Sequence, residues 1–348
     1  MKKIVLTGGG TGGHVTPHLS LIDGLKKDFE IHYIGTNGIE KDIMKNQNVI
    51  FHTIKATKLN RAKKLSNITL PFKFISSIIS CKKILKEIKP DIIFSKGGYV
   101  SLPVVIAGKK LKIKTISHES DLTMGLANKI IYKYSDTFCT SFEETAKGKE
   151  KAISTGSPIR QTLLNGSKEK GYQLTKLPKG RPTILFMGGS TGAAAINACV
   201  KECLTELTQK FNIINIVGKG KKQEVTNKYY CQLEYVDNIQ DIFAISDYIV
   251  SRAGSNAIFE FLFLKKPTLL IPLPKGASRG DQIENAKNFK QKRLANVLMQ
   301  EDLNKKNLII SIEKLQTDKD RLISNMSAYK LNNGAENILK EIYKLVNK

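Results

Sequence analysis

The chain has 348 residues, 41% hydrophobic and 25% charged, an ordinary globular composition with length for two domains. Lys and Arg number 56 against 31 Asp and Glu, a formal net charge of +25. That excess points to a polyanionic partner, an anionic membrane or an anionic substrate, over a background of scattered surface lysines. No apolar stretch reaches the roughly 18 residues of a membrane-spanning helix. The five cysteines are odd in number and lack a Cys-x-x-Cys pair, which suits a reducing compartment and no disulfide framework. No secretory signal is expected, because a glycine turn follows Lys2-Lys3 after only a four-residue apolar run.

In chain order, strands are predicted at 3–7, 30–34, 49–54, 91–95, 113–117 and 136–140, with helices at about 15–27, 38–47, 66–88, 101–111 and 124–134. This alternation signals βαβ units on a parallel sheet. Residues 161–181 show no clean period and end in Pro-Lys-Gly-Arg-Pro, the signature of a crossing between domains. Strands restart at 182–187, 212–217, 233–236, 247–250, 267–271 and 295–298, separated by helices. Residues 333–347 form an amphipathic pattern with Ile338, Ile342, Tyr343 and Leu345 on or near one face. The expected architecture is α/β: two Rossmann-like, doubly wound domains, 1–160 and 161–332, facing a cleft.

Each half opens with a strand that runs into glycines: Gly8-Gly9-Gly10-Thr11-Gly12-Gly13, then Gly188-Gly189-Ser190-Thr191-Gly192-Ala193. Such a turn bares main-chain N–H groups at a helix N-terminus, where the helix dipole favours an anion. The first copy fits Gly8-x-Gly10-x-x-Gly13, but its second strand ends Tyr33-Ile34-Gly35-Thr36-Asn37, without the acid that a dinucleotide ribose requires. Neither copy carries the Gly-Lys-Ser/Thr of a P-loop. The second copy is the better phosphate cradle, since Ser190 and Thr191 add hydroxyls. The first is followed by His14, a candidate general base or anion ligand. His14 and His18 are spaced for zinc, but Pro17 lies between them and no third ligand is evident, so no metal is expected.

Further on, DYIVSRAGSNAIFE places Ser255 and Asn256 at a helix start, where both are good N-caps. Glu260 follows one turn later, positioned to accept two hydrogen bonds from a ribose diol. The loop PLPKGASRGDQIENA brings Asp281, Gln282 and Asn285 to one face at another helix start, a set suited to sugar hydroxyls.

Together GGGTGGHVTPHLSL, SKGGYVSLP, SHESDLTMGLANKI, TGSPIR, FMGGSTGAAAIN, SRAGSNAIFE and DQIENA, in this order from residue 3 to about 340, resemble the MurG family. Its members are peripheral-membrane N-acetylglucosaminyltransferases that convert lipid I to lipid II in bacterial cell-wall synthesis. The resemblance implies a GT-B fold whose C-terminal helix, 333–348, packs back on the N-terminal domain. It implies UDP-GlcNAc mainly on the C-terminal domain, and undecaprenyl-pyrophosphoryl-MurNAc-pentapeptide on the N-terminal one. Gly189, Ser190 and Thr191 would hold the donor diphosphate, Ser255 and Asn256 would lie beside the donor, and Glu260 would grip the ribose. Asp281, Gln282 and Asn285 would read the GlcNAc hydroxyls, and Arg160 would touch the diphosphate or sugar. Thr11, Gly12, Gly13 and His14 would face the acceptor diphosphate and the reacting centre, the first three also contacting UDP-GlcNAc. Where some members have His-Glu-Gln-Asn this chain has His118-Glu119-Ser120-Asp121, so the amide contact at Asp121 is not carried over; some members have two glutamines where Asp281-Gln282 stand.

The implied chemistry needs no cofactor. In most inverting GT-B enzymes, helix N-termini and Ser, Thr or Arg donors stabilise the leaving diphosphate. His14 is the first candidate for the base, with Glu119 and Asp121 as alternatives and acceptor-phosphate binding as its other role. Residues 55–64 carry five positive charges, and 68–79 follow with Leu70, Phe72, Phe74, Ile75, Ile78 and Ile79. A basic collar beside an apolar patch suits docking on the cytoplasmic face of an anionic cell membrane; a core helix beside a basic loop is the alternative. Cell-wall synthesis or division proteins are further expected partners. The rival readings are a UDP-GlcNAc 2-epimerase, a glycolipid glycosyltransferase and, more distantly, a basic nucleic-acid binder. The last is disfavoured because Trp is absent and no nucleic-acid module appears.

Overall fold

A computed structural model describes residues 1–57, 70–189, 192–276 and 278–347. The chain divides into two compact units, Met1–Arg160 with Asn332–Lys348, and Gln161–Leu331. Residues 58–64 of the predicted basic collar lie outside the described residues, as do Ser190 and Thr191.

The first unit is built on strands β1 (Lys2–Thr7), β2 (Phe29–Gly35), β3 (Ile50–Thr53), β4 (Ile92–Ser95), β5 (Lys114–Glu119), β6 (Thr137–Thr140) and β7 (Ala152–Ser154). They pair in the order β3-β2-β1-β4-β5-β6-β7, every pair parallel. Ile4, Val5 and Leu6 of β1 are all buried, because helices cover both faces of the sheet. On one face Ile4, Leu6, Tyr33 and Phe94 pack with Leu21 and with Ile338 and Ile342 of the C-terminal helix Gly334–Val346. That helix is fixed further where Tyr343 Oη donates to Asp28 Oδ2 at 2.7 Å. On the other face Val5, Ile34 and Ile93 pack with Cys81 and Leu85 of the helix Leu70–Ile88 and with Val104 of the helix Gly98–Lys110.

The second unit carries β8 (Thr183–Met187), β9 (Asn212–Ile216), β10 (Tyr230–Leu233), β11 (Tyr248–Ser251), β12 (Thr268–Leu270) and β13 (Asn296–Val297), in the order β10-β9-β8-β11-β12-β13. In both sheets the order reverses beside the first strand, between β1 and β4 and between β8 and β11. Ligands bind doubly wound sheets beyond the strands' carboxyl ends at such a switch point, and each glycine turn emerges there.

Three local expectations change. β7 is an added edge strand, too short to show a pattern. β10 starts three residues earlier than expected, because its register is set by pairing Tyr230 with Ile213 and Leu233 with Ile216. Residues 161–181 are more than a crossing: the helix Lys168–Thr175 lies there, capped by Ser167. A Cβ at Gly171 would lie 2.4 Å from the Asp241 carbonyl oxygen. The buried face of this helix is Gly171 and Thr175, so no apolar period marks it in the sequence.

Candidate active site

In the first unit the turn after β1 leads through Thr11 into a short 3-10 turn, Gly12–His14. The Thr11 hydroxyl lies 2.8 Å from His14 Nδ1. The other edge of the imidazole faces the loop after β4, where a Cβ on Gly98 would lie 3.4 Å from Nε2. His14 thus stands beside the N-terminus of the helix Gly98–Lys110, a region of positive dipole potential. His18 is turned away from it into the core, edge-on to Tyr33 and Phe94, with Nδ1–H donating to the Val15 carbonyl at 3.1 Å. Burial lowers its pKa to about 3, which makes it a neutral packing residue. Among the described residues no group of three or more His, Cys, Asp or Glu is gathered to hold a metal.

Behind this turn the ends of β4 and β5 carry a buried polar network. The Lys96 ammonium donates to His118 Nδ1 at 2.8 Å and to the Ser120 hydroxyl. His118 Nε2–H donates to the Gly156 carbonyl at 3.2 Å, so the ring is a neutral Nε2–H tautomer. Burial, reinforced by Lys96, holds His118 well below the usual imidazole range. Burial also lowers the Lys96 pKa to about 8, against the pull of Glu119 and Asp121. Glu119 accepts from Asp121 N–H at 3.0 Å, Gly125 N–H at 3.2 Å and the Asn128 amide at 2.9 Å. Asn128 Oδ1 in turn accepts from Gly98 N–H at 3.3 Å. The Glu119 carboxylate is buried and takes three donors, an arrangement that serves to hold the loop 121–125 and Asn128. Asp121 is half-buried, with its backbone N–H fixed by Glu119. Arg160 ends this unit.

In the second unit the turn after β8 closes with a 2.8 Å bond from Gly192 N–H to the Gly189 carbonyl. Gly192 has φ +75°, and a Cβ there would lie 2.2 Å from the Val217 carbonyl oxygen, so only glycine fits. Gly189 is exposed, with no atom within 4 Å of where its Cβ would be, which leaves room for a ligand at the start of the helix Ala194–Glu202. Beyond the adjacent strand β11, the helix Ser255–Phe263 is capped by Gly254 without a side-chain bond. Ser255 is its first residue and is buried, so the expected Ser/Asn cap is absent; Asn256 and Glu260 are half-buried on the same helix. Beyond β12, Asp281 and Gln282 open the helix Asp281–Gln291, half-buried. Asp281 pairs with Arg279 at 3.4 Å, and Gln282 Oε1 accepts from Leu273 N–H at 3.0 Å. Asn285 is wholly buried, and its amide donates to the Ala253 carbonyl at 3.2 Å. That bond ties the helix Asp281–Gln291 to the loop after β11, which gives Asn285 a bracing role.

The family models follow the same division. The Glycosyltransferase family 28 N-terminal domain matches residues 4–140, and the family 28 C-terminal domain matches 183–342. The chain is 46% identical to a UDP-N-acetylglucosamine--N-acetylmuramyl-(pentapeptide) pyrophosphoryl-undecaprenol N-acetylglucosamine transferase of Lachnospira eligens, over 98% of this chain and 99% of that protein. The transferase of the same name from Clostridium tetani is 45% identical over 99% of this chain and 98% of its own length. The chain belongs to the MurG family. Its backbone superposes on the crystal structure of Acinetobacter baumannii MurG with a TM-score of 0.77 at 22% identity, covering 99% of this chain and all of that one. The two parallel-sheet units are accordingly those of a GT-B glycosyltransferase, and the epimerase and nucleic-acid readings fall away.

Two features of this MurG-family chain were missed or only partly read from sequence. Glu40 accepts from a main-chain N–H of the first turn, and Lys96 and Asn128 brace the ends of β4 and β5 behind it, yet each stands among residues that suggest nothing by type; SKGGYVSLP, which contains Lys96, was the available signal. The apolar patch on the helix Leu70–Ile88 is differently composed from the expected one. Phe72 (76% exposed), Ile75 (55%) and Ile79 (64%) form the exposed stripe. Leu70 and Phe74 are half-buried, and Ile78 packs against the core, as the helical period dictates. Among the described residues no helix is long and apolar enough to cross a membrane.

Proposed function

We propose that the chain moves GlcNAc from UDP-GlcNAc to the 4-hydroxyl of MurNAc in undecaprenyl-pyrophosphoryl-MurNAc-pentapeptide, converting lipid I to lipid II with inversion at the anomeric carbon. The observation that carries this reading is 46% identity over 98% of the chain to a transferase named for that donor and acceptor.

The donor is assigned to the second unit. There the diphosphate lies against Gly189, Ser190 and Thr191, where main-chain N–H groups and hydroxyls meet the charge that grows as the sugar–phosphate bond breaks. Ser255 and Asn256 flank the donor, Glu260 accepts from the ribose diol, and Asp281 with Gln282 meets the GlcNAc hydroxyls, Gln282 offering its amide N–H groups. Arg160 adds a cation for the diphosphate or sugar. On the first unit Thr11, Gly12 and Gly13 face the acceptor diphosphate. His14 Nε2 takes the proton from the 4-hydroxyl as that oxygen attacks the anomeric carbon opposite UDP, giving a β-linkage. Asp121 is the rival for that proton.

Docking on the cytoplasmic face of the membrane is assigned to the Phe72, Ile75 and Ile79 stripe with its neighbouring lysines, which is supported by the exposure of these side chains. Cell-wall or division proteins complete the expected partners.

The test is incubation with UDP-GlcNAc and a short-chain lipid I analogue, following UDP release and the disaccharide product, with and without EDTA. UDP release that requires both substrates and survives EDTA is expected. Accumulation of UDP-ManNAc from UDP-GlcNAc alone would replace the reading with epimerisation.

A further inference from the structure

Glu40 has no role in the reaction as set out above, yet its carboxylate is wholly buried beneath the first glycine turn. It enters from the short helix Ile39–Met44, just beyond β2. Oε2 accepts from Gly10 N–H at 3.2 Å; Oε1 accepts from Thr36 N–H at 2.9 Å and from the Thr36 hydroxyl. The backbone closes tightly around it. A Cβ on Gly9 would lie 2.5 Å from Oε1, one on Gly38 3.0 Å from Oε2, and one on Gly35 2.9 Å from Cγ. Gly10 is constrained from the opposite side as well: its φ is +80°, and a Cβ would lie 2.3 Å from the Tyr99 ring. A carboxylate taken out of water is costly unless its lone pairs are met, and here main-chain N–H groups from two different loops meet them.

We infer that Glu40 is a positioning residue for His14. It holds Gly10, Gly10 leads directly into Thr11, and the Thr11 hydroxyl lies against His14 Nδ1 at 2.8 Å. With Nδ1–H donated to Thr11, the ring presents Nε2 as its lone pair. The first turn therefore keeps its shape through an internal anion, before any acceptor phosphate arrives, and the base is oriented in advance. This inference rests on the proposed reading, in which His14 takes the acceptor proton.

The test uses the full chain with UDP-GlcNAc and a short-chain lipid I analogue. Glu40→Gln leaves one carbonyl oxygen, so either Gly10 or Thr36 must face an amide N–H instead of an acceptor. Thr11→Val, at an exposed position, breaks the same relay without touching the buried carboxylate. Each change is expected to lower kcat roughly ten- to hundredfold while the KM for UDP-GlcNAc stays within about twofold. The double variant should lose little beyond the worse single one, because both act through one chain of contacts. Parental kcat in Thr11→Val, losses that multiply in the double variant, or a donor KM that moves as far as kcat would each overturn the inference. If Glu40→Gln does not fold, Thr36→Val, which removes only the hydroxyl donor to the same carboxylate and touches no substrate-facing residue, decides by the same split of kcat against KM. A parent that makes no disaccharide defeats the proposed function instead, whatever the variants do.

Discussion

Lys96 and His118 meet in the interior of the first unit, the buried ammonium 2.8 Å from an imidazole nitrogen that the Gly156 carbonyl keeps in its acceptor form. Burial lowers the lysine from 10.5 to about 8, so the folded chain holds this proton less tightly than the unfolded chain does. Its contribution to stability is complete above the unfolded value and is lost as pH falls from 10.5 towards about 8. Denaturant titrations across that range should show the parent gaining stability with pH relative to Lys96→Met. The gain should not exceed about 4 kcal/mol, at about 1.4 kcal/mol per pKa unit. Equal slopes in the two proteins would contradict the assignment.

The exposed stripe on the helix Leu70–Ile88 separates binding from folding. Replacing Phe72, Ile75 and Ile79 with Ser should cut partition onto anionic liposomes by about tenfold or more, since each large apolar side chain contributes about 1.5–3 kcal/mol when fully buried. UDP binding and the melting temperature should hold. Ile78→Ser should do the reverse, lowering stability by about 2 kcal/mol or more through the core it packs on. Unchanged liposome partition of the triple variant would remove the stripe as the docking surface.

His14→Ala should lower kcat by about 10²–10⁴-fold with the fold intact, as expected for loss of a general base. Asp121→Asn should fall well short of that loss. Glu119→Ala should instead show first as a lower melting temperature, because it strands the Asp121, Gly125 and Asn128 donors. A silent His14→Ala with an inactive Asp121→Asn would move the base to Asp121.

On the donor side, Glu260→Ala should weaken UDP binding by roughly ten- to hundredfold, the scale of hydrogen bonds to a charged acceptor at about 1.5–3 kcal/mol. Acceptor KM should stay within about twofold of the parent. Isothermal titration with UDP reads this directly, and unaltered UDP affinity would take the ribose away from Glu260.

Much of the architecture was legible because it is written in short range. A strand ending in glycines and followed by a helix is a local event, so both turns and nearly every strand could be placed from runs of Ile, Val and Leu. Helix Lys168–Thr175 escaped because its packing face is a glycine and a threonine. The Ser255 cap failed because Gly254 takes that position. Capping is a matter of backbone angles, which residue type biases without dictating.

The candidates for the site were likewise drawn from residue types and order: glycine turns, His14, Glu260 and the Asp281–Gln282 pair. What each buried polar group does was not readable, because it depends on partners distant in the chain. Glu40 meets Gly10 only because β2 lies beside β1, and Asn285 meets Ala253 only because the helix after β12 adjoins the loop after β11. Glu119 and Asp121 have the same apparent claim to catalysis in the sequence, and only the fold puts three donors around the Glu119 carboxylate. Sequence alone determined which chemistry the chain carries. The tertiary fold decided which of those groups stay available to a substrate and which are consumed in holding the others still, since a hydrogen bond depends on proximity in space and not along the chain.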